Sequence, residues 1–185
     1  MNKIDNLKSR FEELKAKSLQ EDAEIYGSDG LWGPWHDLAD AQYEPAKQFF
    51  IERLQDSRWD WRTQCLSLLG FHYKLENQVI EKIRYLLEHD DDSGVRIAAA
   101  SVLGRQGQFP EKTLIDALLH DTDILVKESA FSSLLELAAV PYSVRRKELK
   151  KIKSKELQPS LDRVKQILSA ENLLNRLVEL NKVIG

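Results

Sequence analysis

One sentence written three times constrains this chain more than any other feature. His89-Asp-Asp-Asp-Ser-Gly-Val-Arg-Ile-Ala-Ala-Ala-Ser-Val-Leu-Gly104 reads as an acidic turn, a cap at Ser93 or Asp92, then a helix. Val95, Ala99, Val102 and Leu103 share one face of that helix. Residues 55–70 and 120–135 repeat the sentence, with Arg62, Arg96 and Lys127 in register at separations of 34 and 31 residues. Cys65, Ala99 and Ala130 form a column of small residues, and Leu69, Leu103 and Leu134 a column of large ones. A period of this length means stacked supersecondary units, each of which buries its apolar face against the next.

Helical patterning fills the space between the copies. First helices are expected at 44–55, 76–88 and 111–120, and second helices at 58–70, 93–106 and 123–138. Pro45 and Pro110 sit where first helices begin, a place that tolerates a missing N–H. Gly70, Gly104 and Gly107 sit where second helices are expected to end. Pro141 opens a further first helix at 142–153, and one long helix is expected from Pro159 to about 182. At the other end, Ile4, Leu7, Phe11, Leu14 and Leu19 mark an amphipathic helix over 2–25. The stretch Tyr26 to His36, with three glycines and Pro34, is expected as an irregular loop carrying Trp32 and Trp35 against the first pair. No strand pattern competes.

The fold class expected is therefore all-α, a right-handed α-α superhelix of about four helix pairs with capping helices at both ends. As one domain it comprises a cap helix and Trp-rich loop (1–43), three pairs (44–140), and a diverged fourth pair with a C-terminal cap (141–185).

The motif Asp-x-Asp-x-x-Val-Arg-x-x-Ala-x-x-x-Leu-Gly resembles HEAT repeats, in particular the short HEAT-like repeats associated with phycobilisome lyases. Asp90, Asp92, Val95, Arg96, Ala99, Leu103 and Gly104 match throughout. Asp121, Asp123, Val126, Lys127, Ala130 and Leu134 match with Leu135 in place of glycine. Residues 56–70 depart further, with Trp61 for valine and Cys65 for alanine. The resemblance implies a helical solenoid and leaves the function open, because this architecture serves scaffolds, lyase subunits and a hydroxylase alike. The hydroxylase, a di-iron enzyme, carries His-Glu pairs just after the Val-Arg of its second helices. Thr63-Gln64, Ile97-Ala98 and Glu128-Ser129 stand there in this chain, which excludes that chemistry. DNA glycosylases of the same architecture use aromatics in a basic groove. Here only Trp59-Asp60-Trp61-Arg62 echoes them, and residues 1–140 carry a net charge of −9.

Several constellations have structural readings. Asp92 with Arg96, and Asp123 with Lys127, form with Arg62 a structural ladder of helix caps and repeat bridges rather than a ligand row. His89-Asp-Asp-Asp and His120-Asp-Thr-Asp hold nitrogen and oxygen donors, but equivalent turns of stacked repeats lie about 10 Å apart, too far to share an ion. The four histidines, His36, His72, His89 and His120, are scattered, so no metal site and no cofactor is assigned. No catalytic triad, phosphate loop or Cys-x-x-Cys is present. Cys65, the sole cysteine, belongs to the small-residue column and suits a reducing, cytoplasmic setting. Residues 141–165 carry +6, and the basic segment Arg145 to Lys155 reads as a solvated helix face or a docking surface for an acidic partner.

The expected function is a non-catalytic protein-interaction scaffold or adaptor. The alternative is a bilin lyase subunit or a chaperone for a phycobiliprotein. At 100° per residue, Thr63, Leu66, Ser67 and Gly70 fall opposite the core columns. So do Ile97, Ala100, Ser101 and Gly104, and Glu128, Phe131, Ser132 and Leu135. These are expected to line a concave binding face for a helix or apolar segment of another protein, or for a second copy of this chain. Nucleic acid is disfavoured, and no stretch is long and apolar enough to span a membrane.

Overall fold

The structure is a computed structural model that describes residues 3–20 and 30–184. Among them there are eleven helices and no strand. The chain divides at Leu75/Glu76 into two compact units.

The first unit holds α1 (Lys3–Ser18), α2 (Trp32–Asp40), α3 (Glu44–Arg53) and α4 (Trp59–His72). An aromatic cluster organises it. Trp35 stacks on Phe49 at 4.9 Å and meets Phe11 and Phe50 edge-on. Its indole Nε1 donates to Ser18 Oγ at 3.0 Å, so a buried ring keeps its one polar atom satisfied. Arg53 donates to the Ser18 carbonyl at 2.7 Å and lies over the Trp61 ring, tying the end of α1 to α3 and α4. The helix expected over 2–25 is described as far as Ser18, and residues 21–29 lie outside the described residues.

The Trp-rich stretch departs from the expected loop. From Trp32 onward it is helical. Pro34 falls in the first turn of α2, where the N–H groups have no intrahelical acceptor, so its missing N–H removes no hydrogen bond. Trp35 is 1% exposed, and Leu38 and Ala39 are buried with it.

The second unit holds α5 (Asn77–His89), α6 (Ser93–Gln106), α7 (Lys112–His120), α8 (Ile124–Leu137), α9 (Tyr142–Lys153), α10 (Leu161–Ala170) and α11 (Leu174–Ile184). Helices α5 and α6, then α7 and α8, pair, and α6 packs along α8. Val95, Ala99 and Leu103, like Val126, Ala130 and Leu134, are wholly buried. In the first unit Trp61, Cys65 and Leu69 occupy the same register and are equally buried. Burial pushes the Cys65 thiol far up, so it is a protonated packing group rather than a nucleophile.

Two further differences have local causes. The long C-terminal helix breaks between α10 and α11, where Asn172 takes φ 57°. Leu173 N–H then donates to the Leu168 carbonyl at 2.8 Å, the six-to-one bond of a left-handed helix terminus, for which asparagine is the usual substitute for glycine. Gly104 does not end α6. It lies inside it, buried against α8.

Helix α9 carries a buried carboxylate, Glu148, which is 4% exposed. Arg163 Nε donates to it at 2.8 Å and Lys151 Nζ at 3.2 Å. Arg163, then Lys151, holds the Glu148 carboxyl below its ordinary value, against the opposing effect of burial. A depressed folded value means stability that is present above the unfolded pKa of 4.5 and is lost as pH falls through the folded one. Glu148→Gln is expected to lower stability by about 1–2 kcal/mol at pH 7, a figure reduced for the partial exposure of both cations. Urea unfolding at pH 7 and pH 3.5 checks this, because the gap to the parent protein should narrow at the lower pH. A gap independent of pH would assign the effect to packing alone.

Candidate functional site

The residues expected to line a concave face separate into two groups. Within the second unit, Ala100, Phe131 and Leu135 are 0% exposed, so they are core and not surface. Ile97, Ser101, Glu128 and Ser132 are half-buried. Within the first unit, Leu66 is likewise 0% exposed and Gly70 buried, while Thr63 and Ser67 are half-buried. The correction has a simple cause. A helical wheel counts one neighbour, whereas α8 is packed by α6, α7, α9 and α10 together. A helix packed on several sides is buried nearly all round.

The small side chains serve the seam between α6 and α8. A Cβ placed on Gly104 would lie 2.6 Å from Ser133 Cβ and 2.9 Å from its Cα. Ser129 Oγ donates across the seam to the Ile97 carbonyl at 3.1 Å. Ser101 Oγ donates to the same carbonyl and lies 3.1 Å from Ser129 Oγ. What stays accessible along this seam is a narrow strip of Ile97, Ser101, Glu128 and Ser132, bearing one charge.

The turns that precede the second helices share one design. Asp56, Asp90 and Asp121 each accept, through Oδ1, from the backbone N–H two residues on, at 2.9, 3.0 and 2.8 Å. Asp92 caps α6 by accepting from Val95 N–H, and Asp123 caps α8 by accepting from Leu125 N–H. Arg62 reaches back to the Asp56 and Ser57 carbonyls, Arg96 to those of Asp90 and Asp91, and Lys127 to that of Leu119. Arg96 also grips the Asp121 carboxylate with two nitrogens, at 2.8 and 3.1 Å. The backbone amide of Leu125, then Ser93, holds the Asp123 carboxyl below its usual range. These acids are committed to the backbone, and His89 and His120 beside them are exposed.

On α9 the basic residues divide. Arg145 pairs with Glu136 at 2.9 Å and lies over the Tyr142 ring, and Lys151 pairs with Glu148. Arg146, Lys147, Lys150, Lys153 and Lys155 are exposed.

Sequence reasoning missed one constellation entirely. In the first unit, His36 and Asp40 on α2 meet His72 at the last residue of α4. The two Nε2 atoms are 3.3 Å apart and the rings cross at 84°. Asp40 reaches the opposite edges of both rings, at 3.0 Å from His72 Nδ1 and 3.5 Å from His36 Nδ1. Burial first, and His36 second, lower the pKa of His72 and favour its neutral ring, against the opposing pull of Asp40. Trp32 lies edge-on to His36 at 5.2 Å. The histidines are 36 residues apart, His36 at the end of the stretch expected to be irregular and His72 just past the second helix expected over 58–70. Only the i, i+4 spacing of His36 and Asp40, which a helix would bring onto one face, could have signalled the group.

Among the described residues, no helix is long and apolar enough to cross a membrane. Residues 48–135 match the model of a family described as HEAT repeats. No curated protein and no solved structure matches the chain.

Proposed function

Residues 48–135 being HEAT repeats, we propose that this HEAT-like repeat protein is a non-catalytic scaffold or adaptor that holds another protein along its second helices. HEAT repeats in general mediate protein interaction, which supports a protein partner over a small substrate. The observation that carries the reading is the accessible strip on α6 and α8. Small side chains at Ser101 and Ser132 let a partner backbone come close, Ile97 offers an apolar foothold, and Glu128 selects a cation on the partner. With Ala100, Phe131 and Leu135 withdrawn into the core, the strip suits a mixed helical segment better than a purely apolar one. We place the protein in the cytoplasm, a setting that keeps Cys65 reduced. The role beside a bilin lyase rests on the repeat resemblance alone.

The test is an Ile97→Arg, Ser132→Arg double variant, both positions being half-buried and compatible with the fold. Affinity capture from native lysate with mass spectrometry should lose the partner recovered by the parent chain, by at least about tenfold. A Lys82→Glu control, on the exposed face of α5, should retain it. Light scattering separates the case in which the partner is a second copy. Equal recovery by the double variant would remove α6 and α8 as the working surface.

A further inference from the structure

We propose that His36, His72 and Asp40 form a binding site for a divalent transition-metal ion of the zinc class, joining α2 to the end of α4. The two imidazoles supply the metal-binding atoms. Their Nε2 atoms stand 3.3 Å apart, and two ligands on a tetrahedral zinc with bonds of about 2.0–2.1 Å are separated by about 3.3 Å. The carboxylate lies on the other side of both rings. Asp40 Oδ1 is 3.0 Å from His72 Nδ1, and Asp40 Oδ2 is 3.5 Å from His36 Nδ1. A carboxylate accepting from Nδ1–H fixes the tautomer that leaves the Nε2 lone pair free, which is the usual relation between a ligating histidine and its supporting acid.

In the tautomer in which both Nδ1 atoms carry the proton toward Asp40, the two Nε2 lone pairs face each other at 3.3 Å, a separation that a cation bound between them satisfies. Imidazole donors suit zinc, cobalt, nickel and copper rather than magnesium or calcium, which prefer oxygen. The site is open to solvent on the His36 side, where the side chain is 38% exposed, and closed on the His72 side, at 12%. The remaining coordination positions therefore face outward, to water or to a group brought by a partner.

The surroundings fit this role. Gln42 holds the His72 carbonyl, fixing the end of α4, and Trp32 flanks His36 edge-on. Among the described residues, His36, Asp40 and His72 are the one group of three or more His, Cys, Asp or Glu side chains whose ligand atoms lie within 4.8 Å of one another.

The experiment adds cobalt(II) alone to the full-length chain and records visible absorption and tryptophan fluorescence, with zinc as competitor. One equivalent of cobalt should produce a d–d band and quench part of the emission, and one equivalent of zinc should abolish the band. His36→Ala, at the exposed position, should lose the band while keeping the parent circular dichroism. Asp40→Asn should keep it with affinity about 10–100-fold weaker, the cost expected of a lost supporting carboxylate. A His89→Ala, His120→Ala control should match the parent. Zinc should also raise the melting temperature of the parent but not of His36→Ala, as ligand linkage requires. No band in the parent chain, or a band unchanged in His36→Ala, would overturn the assignment.

Discussion

Phe131→Glu is expected to abolish cooperative folding of residues 76–185. Phe131 is among the largest side chains with no exposure at all, set in α8 between Ala130 and Leu134–Leu135, whose own exposure is also nil. Truncating such a ring to alanine costs about 3–5 kcal/mol. A carboxylate left there without a cation adds several more. That sum approaches the whole stability of an ordinary domain, about 5–15 kcal/mol. The variant should show no protected amides in α6 or α8 by hydrogen exchange and no unfolding transition for this unit in urea. Ala100→Arg, at the matching position of α6, should behave alike. A Phe131→Glu chain that melts within a few degrees of the parent would mean that the ring is accessible after all. These positions are thus unsuitable for probing partner binding, which is why the half-buried Ile97 and Ser132 serve instead.

Gly104→Ala should be destabilising, against the intrinsic trend. In an exposed helix interior that exchange gains about 1 kcal/mol, because glycine is the poorer helix former. Here the new methyl would lie 2.6 Å from Ser133 Cβ and 2.9 Å from its Cα, and backbone cannot swing aside as a side-chain tip can. Helices α6 and α8 must separate, and the hydrogen bond from Ser129 to the Ile97 carbonyl lengthens with them. A net loss of about 1–3 kcal/mol is expected, and a larger one for leucine. Ser133→Gly in the same chain should recover part of it, giving a coupling of at least about 0.5 kcal/mol in a double-mutant cycle. Gly104→Ala equal to or more stable than the parent would place the two helices further apart than described.

The repeat was legible because its signals are local. Asp92 and Asp123 as caps, Arg62, Arg96 and Lys127 one turn in, and the columns around Cys65, Ala99 and Ala130 each depend on neighbours within a few residues. The first and second helices followed within two residues at either end. Orientation was not legible. The wheel that set Ala100, Phe131 and Leu135 opposite Val95 and Val126 was right about angle, but it could not show that neighbouring helices cover both sides. Gly104 was read in sequence as a helix end and as a position on the concave face, and only the placement of Ser133 shows that it lies inside the seam between α6 and α8. Pro34 misled because its effect depends on where the helix begins, a matter of one turn. The His36–Asp40–His72 group was hidden for a related reason, since its partners come from a helix that was not expected and from the last residue of another.

Arg96 gives the repeats a property that no single helix has. Its guanidinium closes its own turn at the Asp90 and Asp91 carbonyls and, with its remaining nitrogens, holds the Asp121 carboxylate that shapes the next. Asp121 in turn braces the Asp123 amide at the start of α8. Loosening one repeat therefore strips the brace from its successor, so fraying cannot stop at the boundary between them. Neighbouring repeats tied in this way melt as a block, and the surface carried by α6 and α8 is present as a whole or not at all.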